Sequence, residues 1–254
     1  MWKVVSASVV GTSHTEANIP CQDDCYSEII RGVDGQDYLI CVVSDGAGSA
    51  KEGGRGAELA CLVSLSGIEA SLNAVTSFQP TAPIVREWVE AVRRAIHEEA
   101  QARSLTARDF ACTLLAAVVG PGGAVFFQIG DGAIVASSGY SYGVVFWPES
   151  GPYANMTYFV TDEDALEHLQ VAITSARVDE VALFSDGLQR LALSFEQLAP
   201  HAPFFEPMLG VLRKRNAGEC DDLGEQLAQF LGSTRINERT DDDKTLVLAT
   251  RREP

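Results

Sequence analysis

In this chain of 254 residues, the groups best placed to do chemistry are carboxylates at the ends of apolar runs. One run, Tyr38–Val43, passes through Ser44 to Asp45-Gly46. A second, Ala124–Ile129, passes through Gly130 to Asp131-Gly132, and a third, Val181–Phe184, through Ser185 to Asp186-Gly187. A buried strand fixes its last residue rigidly, and the glycine that follows lets the chain turn sharply without a Cβ clash. Two more acidic stretches sit at the starts of runs: Gln22-Asp23-Asp24, and Thr240-Asp241-Asp242-Asp243 before Lys244–Ala249. Carboxylates gathered at one sheet edge repel one another, so their convergence calls for a cation. Oxygen-only ligands select hard ions such as Mg²⁺ or Mn²⁺.

Each piece also has a plainer reading. Asp-Gly is the strongest two-residue hairpin signal, and Asp131-Gly132, with strand-like residues on both sides, fits a turn at least as well as a ligand. A triple-Asp run alone is an ordinary solvated loop. Asp45 and Asp186 make poorer hairpins, since Asp45 enters a glycine-rich loop and Asp186 enters Leu188-Gln189-Arg190-Leu191. The stretch Gly46–Gly56 lacks the Gly-Lys-Ser/Thr ending of a nucleotide P-loop. It carries Lys51 where the dinucleotide fingerprint needs its third glycine. Its expected duty is to carry the backbone close to a metal and into a helix.

The six cysteines are Cys21, Cys25, Cys41, Cys61, Cys112 and Cys220. Cys41, Cys61 and Cys112 lie in apolar runs as small hydrophobes. Cys21 and Cys25 with His14 offer three zinc ligands, but the spacing fits no standard zinc pattern and a fourth ligand is not evident, so ordinary packing is expected. The stretch Val4–Val10, broken by Ser6 and Ser8, is too short and polar for a signal peptide. No run approaches the roughly 20 apolar residues of a membrane helix. A cytoplasmic protein is expected, without a disulfide framework and without a membrane partner.

The elements that must position these acids follow from residue type and period. Strands are expected at Lys3–Val10, Tyr26–Arg31, Tyr38–Val43, Thr113–Val119, Ala124–Ile129, Ala133–Ser137 and Tyr142–Phe146. Further strands are expected at Tyr158–Val160, Val171–Ser175, Val181–Ser185 and Thr245–Thr250. The apolar stripe through Trp88, Val89, Val92 and Ile96 predicts a helix over Ile84–Ala100. Small residues at Ala57, Ala60, Cys61 and Ser64 predict one over Gly54–Ile68 that approaches a sheet closely. Phe195–Leu212 and Cys220–Leu231 are further helix candidates, the first interrupted by Pro200, Pro203 and Pro207. Strands, two helices, many strands, helices and a last strand suit an α+β sandwich rather than a regular parallel-sheet alternation. The charge balance of 19 Lys+Arg against 35 Asp+Glu gives a net −16, with no basic stretch longer than Arg213-Lys214-Arg215. That argues against a nucleic-acid partner. Disorder is excluded because 46% of the residues are hydrophobic and spread throughout.

Taken in order, five strings resemble the motifs of the metal-dependent protein serine/threonine phosphatases of the PPM (type 2C) family. They are Cys21-Gln22-Asp23, Val42–Gly48, the pair Ala111-Cys112-Thr113 and Gly130-Asp131-Gly132, Phe184–Leu188, and Asp242-Asp243-Lys244-Thr245. The resemblance covers nearly the whole chain. It implies a single domain over 1–254 with two central antiparallel sheets flanked by helix pairs, a four-layer αββα sandwich. It further implies Mn²⁺ or Mg²⁺, two ions bridged by Asp45, with the Gly46 carbonyl on one of them. Asp186 and Asp242 would complete the coordination, and Asp23 would act directly or through water. Such a pair of cations neutralises phosphate charge and activates a water, so no phosphoenzyme is needed.

The family pattern is not matched everywhere. The arginine usually found five residues before the N-terminal Asp is Asn18 here, and no Arg precedes Arg31, which leaves His14 and Asn18 as candidate phosphate contacts. The His often found two residues after the bridging Asp is Ala47. A common second Asp, four residues after Asp186, is Arg190, so a third ion held with Asp131 lacks a ligand; Arg190 is instead a candidate phosphate contact. The expected activity is hydrolysis of phosphoserine and phosphothreonine in proteins, with a Ser/Thr kinase or its target as partner. The alternatives are a non-catalytic pseudophosphatase that docks on a phosphoprotein or kinase, and a purely structural cation site.

Overall fold

Strands whose residues are apolar at every position must be buried on both faces, and the third and fourth strands show how. In β3 (Asp37–Asp45), Ile40 and Val42 face a helical layer while Leu39, Cys41 and Val43 face a second sheet. In β4 (Leu114–Gly120), Leu114, Ala116 and Val118 point to the helices, and Leu115, Ala117 and Val119 point between the sheets. The computed structural model describes residues 1–74, 79–139, 141–148 and 157–253, with backbone alone at 219 and 221.

The other strands are β1 (Lys3–Val9), β2 (Asp23–Arg31), β5 (Gly123–Ile129), β6 (Ala133–Ser138), β7 (Ser141–Phe146), β8 (Gln170–Thr174) and β9 (Glu180–Phe184). The short β10 (Leu193–Ser194), β11 (Ala199–Pro200) and β12 (Gly218–Glu219) precede β13 (Lys244–Thr250). The helices are α1 (Thr12–Ala17), α2 (Gly53–Ala74), α3 (Ala82–Ala102), α4 (Gln189–Ala192), α5 (Ala202–Arg213), α6 (Asp221–Leu231) and α7 (Thr234–Asn237).

One sheet runs β12-β1-β13-β9-β6-β7 and the other β2-β3-β4-β5-β8. Every pairing is antiparallel except β1 with β12. Helices α2 and α3 cover the second sheet, and α5 and α6 cover the first. The result is the expected four-layer αββα sandwich of the α+β class. The small residues of α2, Ala57, Ala60, Cys61 and Ser64, are all buried, as a close helix–sheet approach requires. Helix α3 begins under a Thr81 cap that accepts from the Ile84 amide, an interaction worth about 1 kcal/mol. Trp88 Nε1 donates to Ser71 Oγ at 2.9 Å and ties α3 to α2.

Two expectations need correction. Tyr158–Val160 is not a strand. The Val160 amide goes to the Cys112 carbonyl at 2.9 Å, the Phe159 amide goes to Asp162 Oδ2 at 2.8 Å, and Arg93 reaches the carbonyl of Val160. With its backbone groups satisfied this way, the segment has no need of a ladder. The candidate helix Phe195–Leu212 begins only at Ala202, after the β10–β11 hairpin. Pro203 falls in its first turn, where no amide donor is needed, and Pro207 is accommodated inside it.

Candidate metal centre

Register places the first two acids together. The β2–β3 pairing sets Asp23 directly opposite Asp45, at the start of one strand and the end of the next. Directly opposed like charges are unfavourable in a sheet, so this pair requires compensation. Asp45 is held by its backbone: its amide donates to Thr113 Oγ1 at 3.0 Å, and its carbonyl accepts from the Thr113 amide at 2.8 Å. Ser44 Oγ donates to the Thr113 carbonyl at 2.5 Å and completes the clasp.

The other sheet delivers Asp186 and Asp242. Phe184 at the end of β9 pairs with Leu246 of β13, so the residues just beyond β9 and just before β13 share one edge. The approach is tight. A Cβ on Gly187 would lie 2.1 Å from the Asp243 carbonyl oxygen, so no other residue fits there. The two sheets are stitched at this edge by Ser185, whose Oγ donates to Asp23 Oδ2 at 2.6 Å and accepts from the Thr245 amide at 3.0 Å. Gly46 has the same constraint as Gly187: a Cβ there would sit 2.3 Å from the Gly53 carbonyl carbon.

Burial and mutual repulsion dominate the electrostatics. Asp23 is 7% exposed. Its carboxyl is pushed up to about 7 by burial, with the Ser185 and Thr245 hydroxyls pulling the other way and Asp243 and Asp186 adding repulsion. Asp186 is also pushed up to about 7, by burial and then by Asp131 and Asp242. Burial, then Asp23 and Asp186, hold Asp45 well above the usual carboxylate range. Asp131 is raised mainly by burial. Asp23 Oδ1 and Asp186 Oδ1 are buried with no hydrogen-bond partner among the described residues. Orphaned carboxylate oxygens inside an acidic cluster fit a hard divalent cation, which supplies both the missing partner and the opposing charge. Among the described residues no group of three or more His, Cys, Asp or Glu side chains is placed to hold a metal ion by itself. Mg²⁺-like ions keep several waters and take only one or two carboxylates each, so fewer side chains suffice for them.

The remaining sequence candidates are placed as follows. Asp242 is exposed at the mouth of the cluster. Asp131 has one oxygen engaged by Thr157 Oγ1 at 2.5 Å, and its carbonyl accepts from Gln189 Nε2. His14 lies in α1 with Nδ1 2.9 Å from Asp243 Oδ2. Asn18 caps α1 in the left-handed region at φ 54°. Arg190 is exposed and borders a cleft between α5 and α6. Cys25 Sγ accepts from Ser8 and Cys21 Sγ donates to the Asp23 carbonyl, while burial pushes both thiols up, away from the thiolate a zinc site needs.

One organising residue escaped the sequence reading. Asp243 is 3% exposed. Its carboxylate accepts from the Gly11 amide at 2.6 Å, the Gln22 amide at 2.6 Å and His14. Within a run of three aspartates only the apolar strand that follows hinted that the last one points inward. Beside it, fully buried Lys244 donates to Asn237 Oδ1 at 3.0 Å and to the Asp242 carbonyl at 3.1 Å, fixing the backbone that carries Asp242.

Comparisons with known proteins bear on what such a cluster does. The family model described as Protein phosphatase 2C matches residues 10–232. Serine/threonine-protein phosphatase 3 of Escherichia coli (strain K12) is 43% identical over 255 residues, covering 98% of this chain and 98% of that protein. Among solved structures, PppA, a key regulatory component of T6SS in Pseudomonas aeruginosa, superposes with a TM-score of 0.65 at 19% identity, covering 98% of this chain and 97% of that one. The catalytic domain of the serine threonine protein phosphatase PstP, in complex with 2 manganese ions, gives a TM-score of 0.63 at 16% identity over 98% and 97% of the two chains. At those identities the two structures speak for the fold alone.

Proposed function

We propose residue roles for this chain, which belongs to the protein phosphatase 2C family and is a divalent-metal-dependent serine/threonine protein phosphatase acting on phosphoproteins. The catalytic unit is one domain over 1–254. Asp45, the Gly46 carbonyl, Asp186 and Asp242 would hold two ions, Mn²⁺ or Mg²⁺, with Asp23 contributing directly or through water. The PstP domain, which shares this fold, is itself in complex with 2 manganese ions. When bound, such ions neutralise the phosphate and lower the pKa of the attacking water.

This chain's own residues supply position and exclusion. Thr113 and Ser44 fix the backbone of Asp45, and Ser185 orients Asp23. Lys244 fixes the main chain at Asp242. The thiols of Cys21, Cys25, Cys41, Cys61 and Cys112 are raised by burial and supply no thiolate for a covalent step. Asp131, engaged with Thr157, is not required by the first two ions, and a third would depend on it. His14, Asn18 and Arg190 remain the candidates to meet substrate phosphate in place of an arginine. His14 has the strongest support, since Asp243 holds it on the segment that leads into Asp23.

The observation that carries this reading is the pair of orphaned oxygens, Asp23 Oδ1 and Asp186 Oδ1, buried inside a cluster fixed through its backbone. A Ser/Thr kinase or one of its targets is the partner we propose. The described residues contain no helix long and apolar enough to cross a membrane; the compartment we propose is the cytoplasm, where the six cysteines stay reduced. The test is turnover of p-nitrophenyl phosphate and a phosphothreonine peptide with and without Mn²⁺. Activity that appears with Mn²⁺ and stops with EDTA is expected; turnover that survives EDTA overturns the reading.

A further inference from the structure

Helices α5 and α6 do not close over the sheet they cover. Between them is a cleft of about 780 Å³, within the roughly 300–1,000 Å³ typical of small-molecule sites. Phe204 and Met208 of α5 form one wall, and Leu227 and Phe230 of α6 form the other. The floor is Val5 of β1 and Leu248 of β13, so the cleft passes through the helical layer to the sheet.

Its charge is opposite to that of the molecule. The chain carries 35 Asp+Glu against 19 Lys+Arg, yet among the described residues no Asp or Glu lines the cleft, while Arg190, Arg235 and Arg239 do. Elsewhere arginines find acids: Arg55 pairs with Glu58 at 2.6 Å and Arg213 with Glu180 at 2.7 Å. Among the described residues none of the three cleft arginines forms an ion pair. Guanidinium groups offer paired donors that match a carboxylate, and their field is strongest beside low-dielectric walls.

We propose that this cleft is a binding site for a small amphiphilic anion, an aliphatic chain ending in a carboxylate, distinct from the acidic cluster. The apolar walls and sheet floor take the chain, and the arginine rim takes the head.

The test is titration calorimetry of the full chain with dodecanoate and, as a control of opposite charge, dodecyltrimethylammonium, both below their micelle concentrations. One saturable dodecanoate site is expected, with the cation at least about tenfold weaker. Joint Arg235→Gln and Arg239→Gln substitution should weaken dodecanoate by about tenfold or more, as expected for lost charge-assisted hydrogen bonds. Val211 is half-exposed at the mouth, and Val211→Trp should block entry while thermal melting shows the variant folded. No saturable binding, equal affinity for both amphiphiles, or undiminished affinity in both variants overturns the proposal. So does an acidic amphipathic peptide that occupies the cleft when dodecanoate does not.

Discussion

Asp243 is a side chain on which three segments meet. It accepts from Gly11, Gln22 and His14, and so joins the chain after β1, the approach to Asp23 and the start of β13. Asp243→Asn keeps the size but removes the charge and turns one acceptor into a donor facing an amide. A loss of about 2–3 kcal/mol of stability is expected in urea unfolding, together with weaker Mn²⁺ binding. Unchanged stability would show that these contacts are not needed. This residue was illegible in the sequence for a definite reason: its partners are 221 to 232 positions away. Asp23, Asp45 and Asp186 were legible because each is fixed locally, by the strand it opens or the strand it follows. Strand pattern alone did not separate Asp242, exposed, from Asp243, buried.

At the scale of elements, the junction of β3 with α2 sets the site. The chain leaves Asp45, passes Gly46 against Gly53, and enters α2 with no room for a side chain between them. Gly46→Ala forces the two backbones apart. We expect a loss of about 2–3 kcal/mol from overpacking and a larger fractional loss of metal-dependent activity than of folded protein. Wild-type activity in a folded Gly46→Ala variant would show that this approach is not what places Asp45. The strands buried on both faces were readable from their unbroken apolar runs. Tyr158–Val160 was not, because aromatic and branched residues also suit a loop whose amides are satisfied by Cys112 and Asp162. Helix α5 was misjudged at its start because a proline in the first turn sacrifices no hydrogen bond.

For the whole molecule, the charge of −16 has two parts with opposite consequences. Most of it is solvated surface; the acidic cluster is buried and stores repulsion. Burial and the neighbouring acids push the Asp23 and Asp186 carboxyls up to about 7 in the folded protein, from an ordinary value of 3.8. The folded chain therefore holds protons between about pH 4 and 7 that the unfolded chain has released, and the metal-free protein loses stability as pH rises through that window. The ion-paired Glu180 and Glu206, whose carboxyls are lowered, lose their stabilising contribution only on acidification below the ordinary glutamate value of 4.5 and do not reverse the trend. Melting in EDTA should occur at a higher temperature at pH 5 than at pH 7.5, and Mn²⁺ should raise it more at pH 7.5; the reverse order on either count contradicts the assignment. The central claim is that carboxylates from both sheets converge on two cations through Asp45. It is tested most directly by counting Mn²⁺ bound by calorimetry in the wild type and in Asp45→Asn. Two ions in the wild type, with at least one lost in the variant, is the result this account predicts. Equal stoichiometry and affinity in the two proteins would contradict it.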